Sequence, residues 1–332
     1  MMTFLPILHK LYRIPAKSKS EQKMIQYLTA LIPKLADNIK VEVIKDNIYV
    51  TRGVAETYPC IVCHTDQVQE NNKNITLLNV DDLILGFDFT KKKQVGIGAD
   101  DKNGIFMALL ALIHFPVMKA CFFHGEEIGC IGSSACEMDF FSNCRYVIQC
   151  DRKDNSDFIS TGSRIELCSK EFIDDCKLDE FGYKSTTGLI TDVVTLKQRD
   201  LPVSCCNISC GYYNPHTDYE TTSISDLQKC WKFVKHVLSL EKTYLHKYEP
   251  PKIVIPSTKT TIIQNKTPKT KGAEPYIPLV QQEGLVIQRA LTCINFPTSL
   301  MSIWLEMYRC IPGISFVRFQ EIFTDTYESN HK

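Results

Sequence analysis

Cys121-Phe-Phe-His-Gly-Glu-Glu-Ile-Gly-Cys-Ile-Gly-Ser-Ser-Ala135 is the stretch on which the reading of this chain turns. A short apolar run ends in Glu126-Glu127, a glycine-punctuated turn follows, and a helix-like segment opens at Ser133-Ser134. Two adjacent carboxylates at the end of a buried strand are costly to desolvate, and bound cations would offset that cost. Successive side chains at a strand end point in different directions, so one glutamate can bind a metal while the other faces a reacting water. A lone Glu-Glu pair is more often a solvated loop; the rest of the chain changes that balance.

Working outward, the pattern recurs. Upstream, Cys60-Ile-Val-Cys63 reads as a strand that ends in His64-Thr65-Asp66. A polar, Asn-rich hairpin region fills 67–93, and Val95-Gly-Ile-Gly-Ala-Asp100-Asp101-Lys-Asn-Gly104 then leads into a helix near Ile105. Downstream, the apolar run Tyr146-Val-Ile-Gln-Cys150 ends in Asp151. An apolar or Gly-rich run thus repeatedly delivers His, Asp or Glu at its C-terminal end, the edge at which open α/β sheets bind ligands. Residues 155–200 mix strand-like and polar segments, including Gly188-Leu-Ile-Thr-Asp192-Val-Val, and Asn214-Pro-His216-Thr supplies a further histidine ahead of a helix from Ser225 through Leu240. At the N-terminal end, apolar residues at helical spacing predict helices over 3–13 and after Ser18-Lys-Ser-Glu21, a capping-box pattern. Val41 to Val50 reads as two strands broken at Lys45-Asp46-Asn47.

Composition narrows the class. The chain has 332 residues, 44% of them hydrophobic, enough for a sizeable core. Lys+Arg and Asp+Glu are equal at 38, so no global charge points to nucleic acid or an anionic membrane. Fifteen cysteines at irregular spacing fit reduced thiols in a cytoplasmic protein better than a disulfide framework. Cys60-x-x-Cys63 looks like half a zinc site, but residues three apart on a strand face opposite ways, so both are read as buried apolar residues. The first residues lack a basic leader and a small-residue cleavage site, and no apolar run is long enough to span a bilayer. His124 is read as a satisfied strand histidine rather than a site residue. Gly96-x-Gly98 is not read as a dinucleotide loop, because its third glycine is misplaced and two aspartates stand where phosphate would sit.

The strand-end residues are His64, Asp66, Asp100, Glu126, Glu127, Asp151 and His216. Imidazole and carboxylate suit zinc and its first-row relatives, and the absence of cysteine from the set argues against a structural thiolate site. His64-Thr-Asp66, Gly98-Ala-Asp100-Asp101-Lys-Asn-Gly104, Glu126-Glu127-Ile-Gly, Asp151 and Asn214-Pro-His216-Thr resemble, in family order, the co-catalytic zinc exopeptidases, with the Gly-Ala-Asp-Asp-Lys run most similar to peptidase T. The similarity covers roughly residues 3–240. It implies two divalent metal ions, zinc by default. His64 and Asp151 would hold one, Glu127 and His216 the other, with Asp100 bridging. It further implies Asp66 as the residue that orients His64, Glu126 as general base, and a cis peptide after Asp100.

The expected fold is a three-layer α/β/α domain with a mixed, mostly parallel sheet over residues 1–248. The expected activity is hydrolysis of a terminal peptide or related amide bond. Only residues 152–215 separate Asp151 from His216, too few for the inserted lid of peptidase T, so the chain resembles the lidless aminopeptidases. A carboxypeptidase or N-acyl-amino-acid deacylase on the same site stays open, as does a non-catalytic scaffold on a peptidase fold. Residues 249–282, rich in Pro, Thr and Lys, read as a linker, and 283–332 as a helical extension with Pro297 and Pro312-Gly313 as breaks. Within 283–328, Leu300, Trp304 and Tyr308 recur four apart, and Phe316, Phe319, Phe323 and Tyr327 three and four apart. Apolar faces of that size are rare on monomers, which predicts self-association or a protein partner through this segment. Removing 281–332 is expected to leave metal binding intact and to change oligomeric state or solubility, as read by light scattering. Unchanged size and solubility would remove the interaction role.

Overall fold

A computed structural model describes residues 4–70 and 72–248; the expected linker and helical extension lie outside the described residues. Apolar residues three and four apart give α1 (Leu5–Arg13) and α2 (Gln22–Leu31), which bury Leu8, Leu11, Tyr12, Met24, Ile25 and Leu28. The expected capping box does not form. Glu21 is the N-cap of α2 and makes no side-chain cap bond. The Ser18 hydroxyl instead donates to Asp66 Oδ2 at 2.7 Å, a charge-assisted bond to a buried carboxylate. Strands β1 (Ile39–Ile44) and β2 (Asn47–Arg52) form a hairpin. Its turn residues Lys45 and Asp46 both have positive φ, 50° and 62°, as a two-residue turn matched to strand twist requires.

The chain continues through β3 (Tyr58–His64), the polar strands β4 (Thr76–Val80), β5 (Leu83–Asp88) and β6 (Lys93–Val95), and α3 (Ala99–His114). After β7 (Met118–Phe123), the segment expected to open a helix at Ser133 is a single turn, α4 (Ile131–Ser134), that ends there. Next come β8 (Cys144–Arg152), β9 (Asp157–Gly162), β10 (Ile165–Glu166), α5 (Lys170–Cys176) and β11 (Lys184–Gly188). Asp192-Val-Val, strand-like in sequence, opens α6 (Asp192–Gln198), whose face buries Val193, Val194 and Leu196. The chain closes with β12 (Cys205–Ser209), β13 (Tyr212–Tyr213), β14 (Thr221–Ser223) and α7 (Ile224–Leu238).

Nine strands make the main sheet, in the order β1-β2-β7-β3-β8-β12-β9-β10, with β11 on β9. Its centre, β7-β3-β8-β12, is parallel. Alternation along the strands divides the core in two. Ile61, Cys63, Ala120, Phe122 and Ile148 face α1, α2, α3 and α7, while Cys60, Val62, Cys121, Phe123 and Val147 face α6. The expected three layers follow. Cys60 and Cys63 fall on opposite faces, and every cysteine among the described residues is a buried free thiol. Helix α3 is buried from Ala99 to Leu112, as befits an apolar helix laid along a sheet. The chain between Asp151 and His216 supplies β9 to β12, α5 and α6 to the same layers, and β13 to a second sheet. A second, antiparallel sheet, β13-β14-β5-β4 with β6 on β5, joins the Asn-rich region to the loop that bears His216. No helix among the described residues is long and apolar enough to cross a membrane.

One polar anchor fastens the end of the described chain. Lys197 of α6 is fully buried, and its ammonium donates to the backbone oxygens of Leu201 (3.1 Å), Val203 (2.6 Å) and His246 (2.6 Å). Lys197→Met removes all three bonds and leaves carbonyls without a donor. It is expected to lower stability by at least the ~1–3 kcal/mol of one unsatisfied buried group, measured by denaturant unfolding. An unchanged midpoint would show that solvent reaches these carbonyls.

Candidate metal centre

Parallel pairing sets the site. In-register alignment of β3 with β7 and β8 brings His64 level with Phe123 and beside the end of β8. His64 therefore meets the Glu126-Glu127 turn on one side and Asp151 on the other. Asp100 enters from the start of α3, where Asp100 and Asp101 depart from helical φ/ψ. Regular helix begins only beyond them, ahead of the expected start near Ile105. The Asp100–Asp101 peptide is cis.

Asp100 lies at the centre. Its Oδ1 is 3.2 Å from His64 Nε2, and its Oδ2 is 3.2 Å from His216 Nε2. Asp151 Oδ1 lies 3.5 Å from His64 Nε2, and Glu127 Oε2 lies 3.1 Å from His216 Nε2. The predicted residues thus form two sets, His64 with Asp151 and His216 with Glu127, that share Asp100. These separations exceed the ~2.7–2.9 Å of a charged N–H···O bond. They match the ~3.3 Å edge of a tetrahedron whose metal–donor bonds are near 2.0–2.1 Å.

Asp66 lies behind this group, 2% exposed. Its backbone oxygen and Oδ1 are 3.1 and 3.4 Å from His64 Nδ1. A proton on Nδ1 leaves Nε2 free to face the other carboxylates. The same carboxylate accepts the backbone N–H of Glu126 (2.9 Å) and Glu127 (3.3 Å). Burial opposes its charge, but His64, Ser18 and the Glu126 N–H hold its pKa below the usual range. Asp66 therefore fixes both the imidazole and the Glu-Glu turn.

The charges do not balance within the chain. Burial pushes the carboxyls of Asp151 and Glu126 well above their usual range, with Asp100 adding to the first and Asp151, Asp192 and Glu127 to the second. Burial and then Asp100 take Glu127 up to about 6. Asp151 pairs with His64 and Glu127 with His216, and both histidines also pair with Asp100. Glu127 Oε1 is buried with no hydrogen-bond partner, a costly state for a carboxylate oxygen. Imidazole nitrogens and carboxylate oxygens suit a divalent ion, and His64, Asp100 and Glu127 each offer one atom within 4.8 Å of the others. Asp101 groups in the same way with His64 and Asp151. However, both its oxygens already accept backbone N–H groups, from Gly104 at 3.0 Å and from His64 at 3.1 Å. A Cβ at position 104 would fall 2.1 Å from Asp101 Oδ1, so only glycine allows this fold-back. Asp101 is a structural acid, and Asp100 is the one with open oxygens.

Several further side chains surround these residues. Gln149 lies on β8 two residues before Asp151; its amide donates to Asp151 Oδ2 at 3.0 Å, and its oxygen accepts the Val193 N–H at 3.2 Å. Asp192 is buried and accepts from Ser133 Oγ at 2.5 Å and Gln149 Nε2 at 3.5 Å. Cys130 Sγ lies 3.6 Å from Glu126 Oε1. Glu220 is fully buried against the start of α3. Single polar residues carry no periodicity, so only the fold identifies them.

Titrating chelator-stripped protein with Zn2+ should reach two equivalents and raise the midpoint of thermal unfolding, since a ligand bound only by the folded state stabilises it. His64→Ala should weaken one equivalent strongly and Asp100→Ala should disturb both. A folded protein that takes up only trace metal would remove this assignment.

No family model matches the chain, and no curated protein matches its sequence. Solved structures do match in fold. Aminopeptidase PepT from Bacillus cereus is 13% identical, over 71% of this chain and 97% of that one, with a TM-score of 0.58. An aminopeptidase from the archaeon Desulfurococcus kamchatkensis is 11% identical, over 71% and 94%, with a TM-score of 0.54. A Staphylococcus aureus tripeptidase is 13% identical, over 71% and 96%, with a TM-score of 0.53. The chain therefore has the α/β fold of these peptidases, with its acids and histidines gathered at the C-terminal edge of the parallel strands.

Proposed function

We propose that this chain is a metal-dependent exopeptidase that removes residues from the amino end of peptides. The observation that carries the reading is Asp100, whose two oxygens each face a different histidine, with Asp151 and Glu127 completing the two sets. His64, Asp151 and Asp100 would hold one divalent ion, and Asp100, Glu127 and His216 the other. Such a pair, zinc by default, supplies an activated water and stabilises the charge that develops on the scissile carbonyl.

The chain's own residues would do the rest. Glu126 is the proposed general base, accepting the proton of the attacking water and returning one to the leaving amine. Its backbone N–H is tied to Asp66, which keeps it in step with His64. Burial raises its proton affinity above that of an exposed glutamate, and bound cations would lower it. Gln149 would hold Asp151 in orientation through Oδ2, leaving Oδ1 towards His64. The preference for a free amino end rests on the layers being extended rather than interrupted between Asp151 and His216, and on the fold shared with two aminopeptidases and a tripeptidase.

Two variants separate the paired glutamates. Glu126→Gln is expected to keep both metal equivalents and the fold while turnover of free-amine peptides falls by at least ~10²–10⁴-fold, as for loss of a general base. Glu127→Gln is expected to weaken metal binding, with rate partly restored by added Zn2+. The reverse pattern would exchange the two roles. Cleavage of amine-blocked peptides alone would move the activity to a carboxypeptidase or deacylase, and wild-type turnover in both variants would place the chemistry elsewhere.

A further inference from the structure

The first residues of α3 raise a question that the metal centre does not answer. A helix start leaves backbone N–H groups without intrahelical partners. Gly98, the N-cap of α3, provides no side-chain acceptor. The acceptor arrives instead from far along the chain. Glu220 Oε2 takes the N–H of Ala99 at 3.0 Å, and Oε1 takes the N–H of Asp100 at 3.3 Å. Gln69 Nε2 donates to Oε2 at 3.0 Å and fixes the carboxylate from the other side. Glu220 is fully buried. A buried acid at a helix N-terminus is favourable for the helix, but that general benefit does not explain why the acid grips this residue.

Asp100 is held at three points. Its backbone N–H is bound by Glu220, while its two carboxylate oxygens face His64 and His216. Glu220 and His216 belong to the same short loop between β13 and β14, and β14 pairs with β5 of the second sheet. That loop is seated on its surroundings. The Glu220 N–H reaches Thr217 O at 3.4 Å, and Thr217 O lies so close to Gly96 that a Cβ there would be 2.7 Å away. One loop thus presents an imidazole to one oxygen of Asp100 and a carboxylate to its N–H. Displacing that carboxylate would let the Asp100 backbone turn and would separate its oxygens from their two histidines.

We propose that Glu220 is the positioning residue of the centre, fixing the Asp100 backbone so that its carboxylate can serve both halves at once. The proposal rests on the two-metal reading above. Three N–H donors converge on its two oxygens. Glutamine has only one acceptor oxygen, so Glu220→Gln would turn an N–H towards a donor and release Ala99, Asp100 or Gln69.

The test titrates Zn2+ against a competing chelator in wild type, Glu220→Gln and Glu220→Asp, together with kcat and KM on a free-amine peptide at saturating Zn2+. Loss of a group that orients metal ligands typically costs about 10–100-fold in metal affinity or activity. Glu220→Gln is expected to lose that much in Zn2+ affinity and in kcat, with KM little changed, because Glu220 is fully buried. Glu220→Asp keeps two acceptor oxygens one methylene shorter and is expected to fall between the two. A Glu220→Gln protein of lower thermal stability but wild-type Zn2+ affinity and kcat would overturn the proposal, leaving a helix cap alone. Should Glu220→Gln fail to fold, wild-type Zn2+ affinity and kcat in Glu220→Asp would overturn it instead. Wild type that binds no Zn2+ would sink the two-metal reading itself, a result distinct from any difference among the variants.

Discussion

The structure depends on a like-charge crowd that the protein cannot neutralise by itself. Asp100, Asp151, Glu126 and Glu127 converge at one sheet edge, and two histidines pair with the first, second and fourth of them. Carboxylates in such a setting either take up protons or require cations. The separations of 3.1–3.5 Å between imidazole nitrogens and carboxylate oxygens leave a set of donor atoms that a divalent ion could bind.

The acids in and around the site divide by what their oxygens face. Asp66, Asp101 and Glu220 accept backbone N–H groups and are buried. Asp100, Asp151 and Glu127 turn oxygens towards imidazoles. The first group is rigid because a carboxylate that binds main chain cannot rotate without orphaning buried donors. It holds the second group in place: Asp66 fixes the turn of Glu126 and Glu127, Asp101 binds the His64 N–H, and Glu220 binds the Asp100 N–H. Such preorganisation limits the rearrangement a bound ion would need.

The fold serves this arrangement with little elaboration. Four parallel strands end at the same edge, and the antiparallel strands on either side widen the sheet without covering that edge. The buried thiols follow the same logic. They fill small spaces on both faces of the sheet.

Much of this was legible in the sequence. Apolar runs that end in His64, Glu126-Glu127 and Asp151 require buried strands whose polar termini meet, because a strand of that composition can only be central. The sequence could therefore determine the layer architecture and nominate the acids and histidines. It misread the Ser18–Glu21 box, the length of the turn at Ser133 and the strand-like opening of α6, since local propensity yields wherever a tertiary partner offers a stronger bond or a better-buried face. It was silent on Gln149 and Glu220, and on Asp101 as a structural acid. Those roles depend on which oxygen meets which N–H across as many as 121 positions of chain. Local pattern records which residues a segment contains; long-range contacts of this kind exist only once the β13–β14 loop has folded back onto the start of α3.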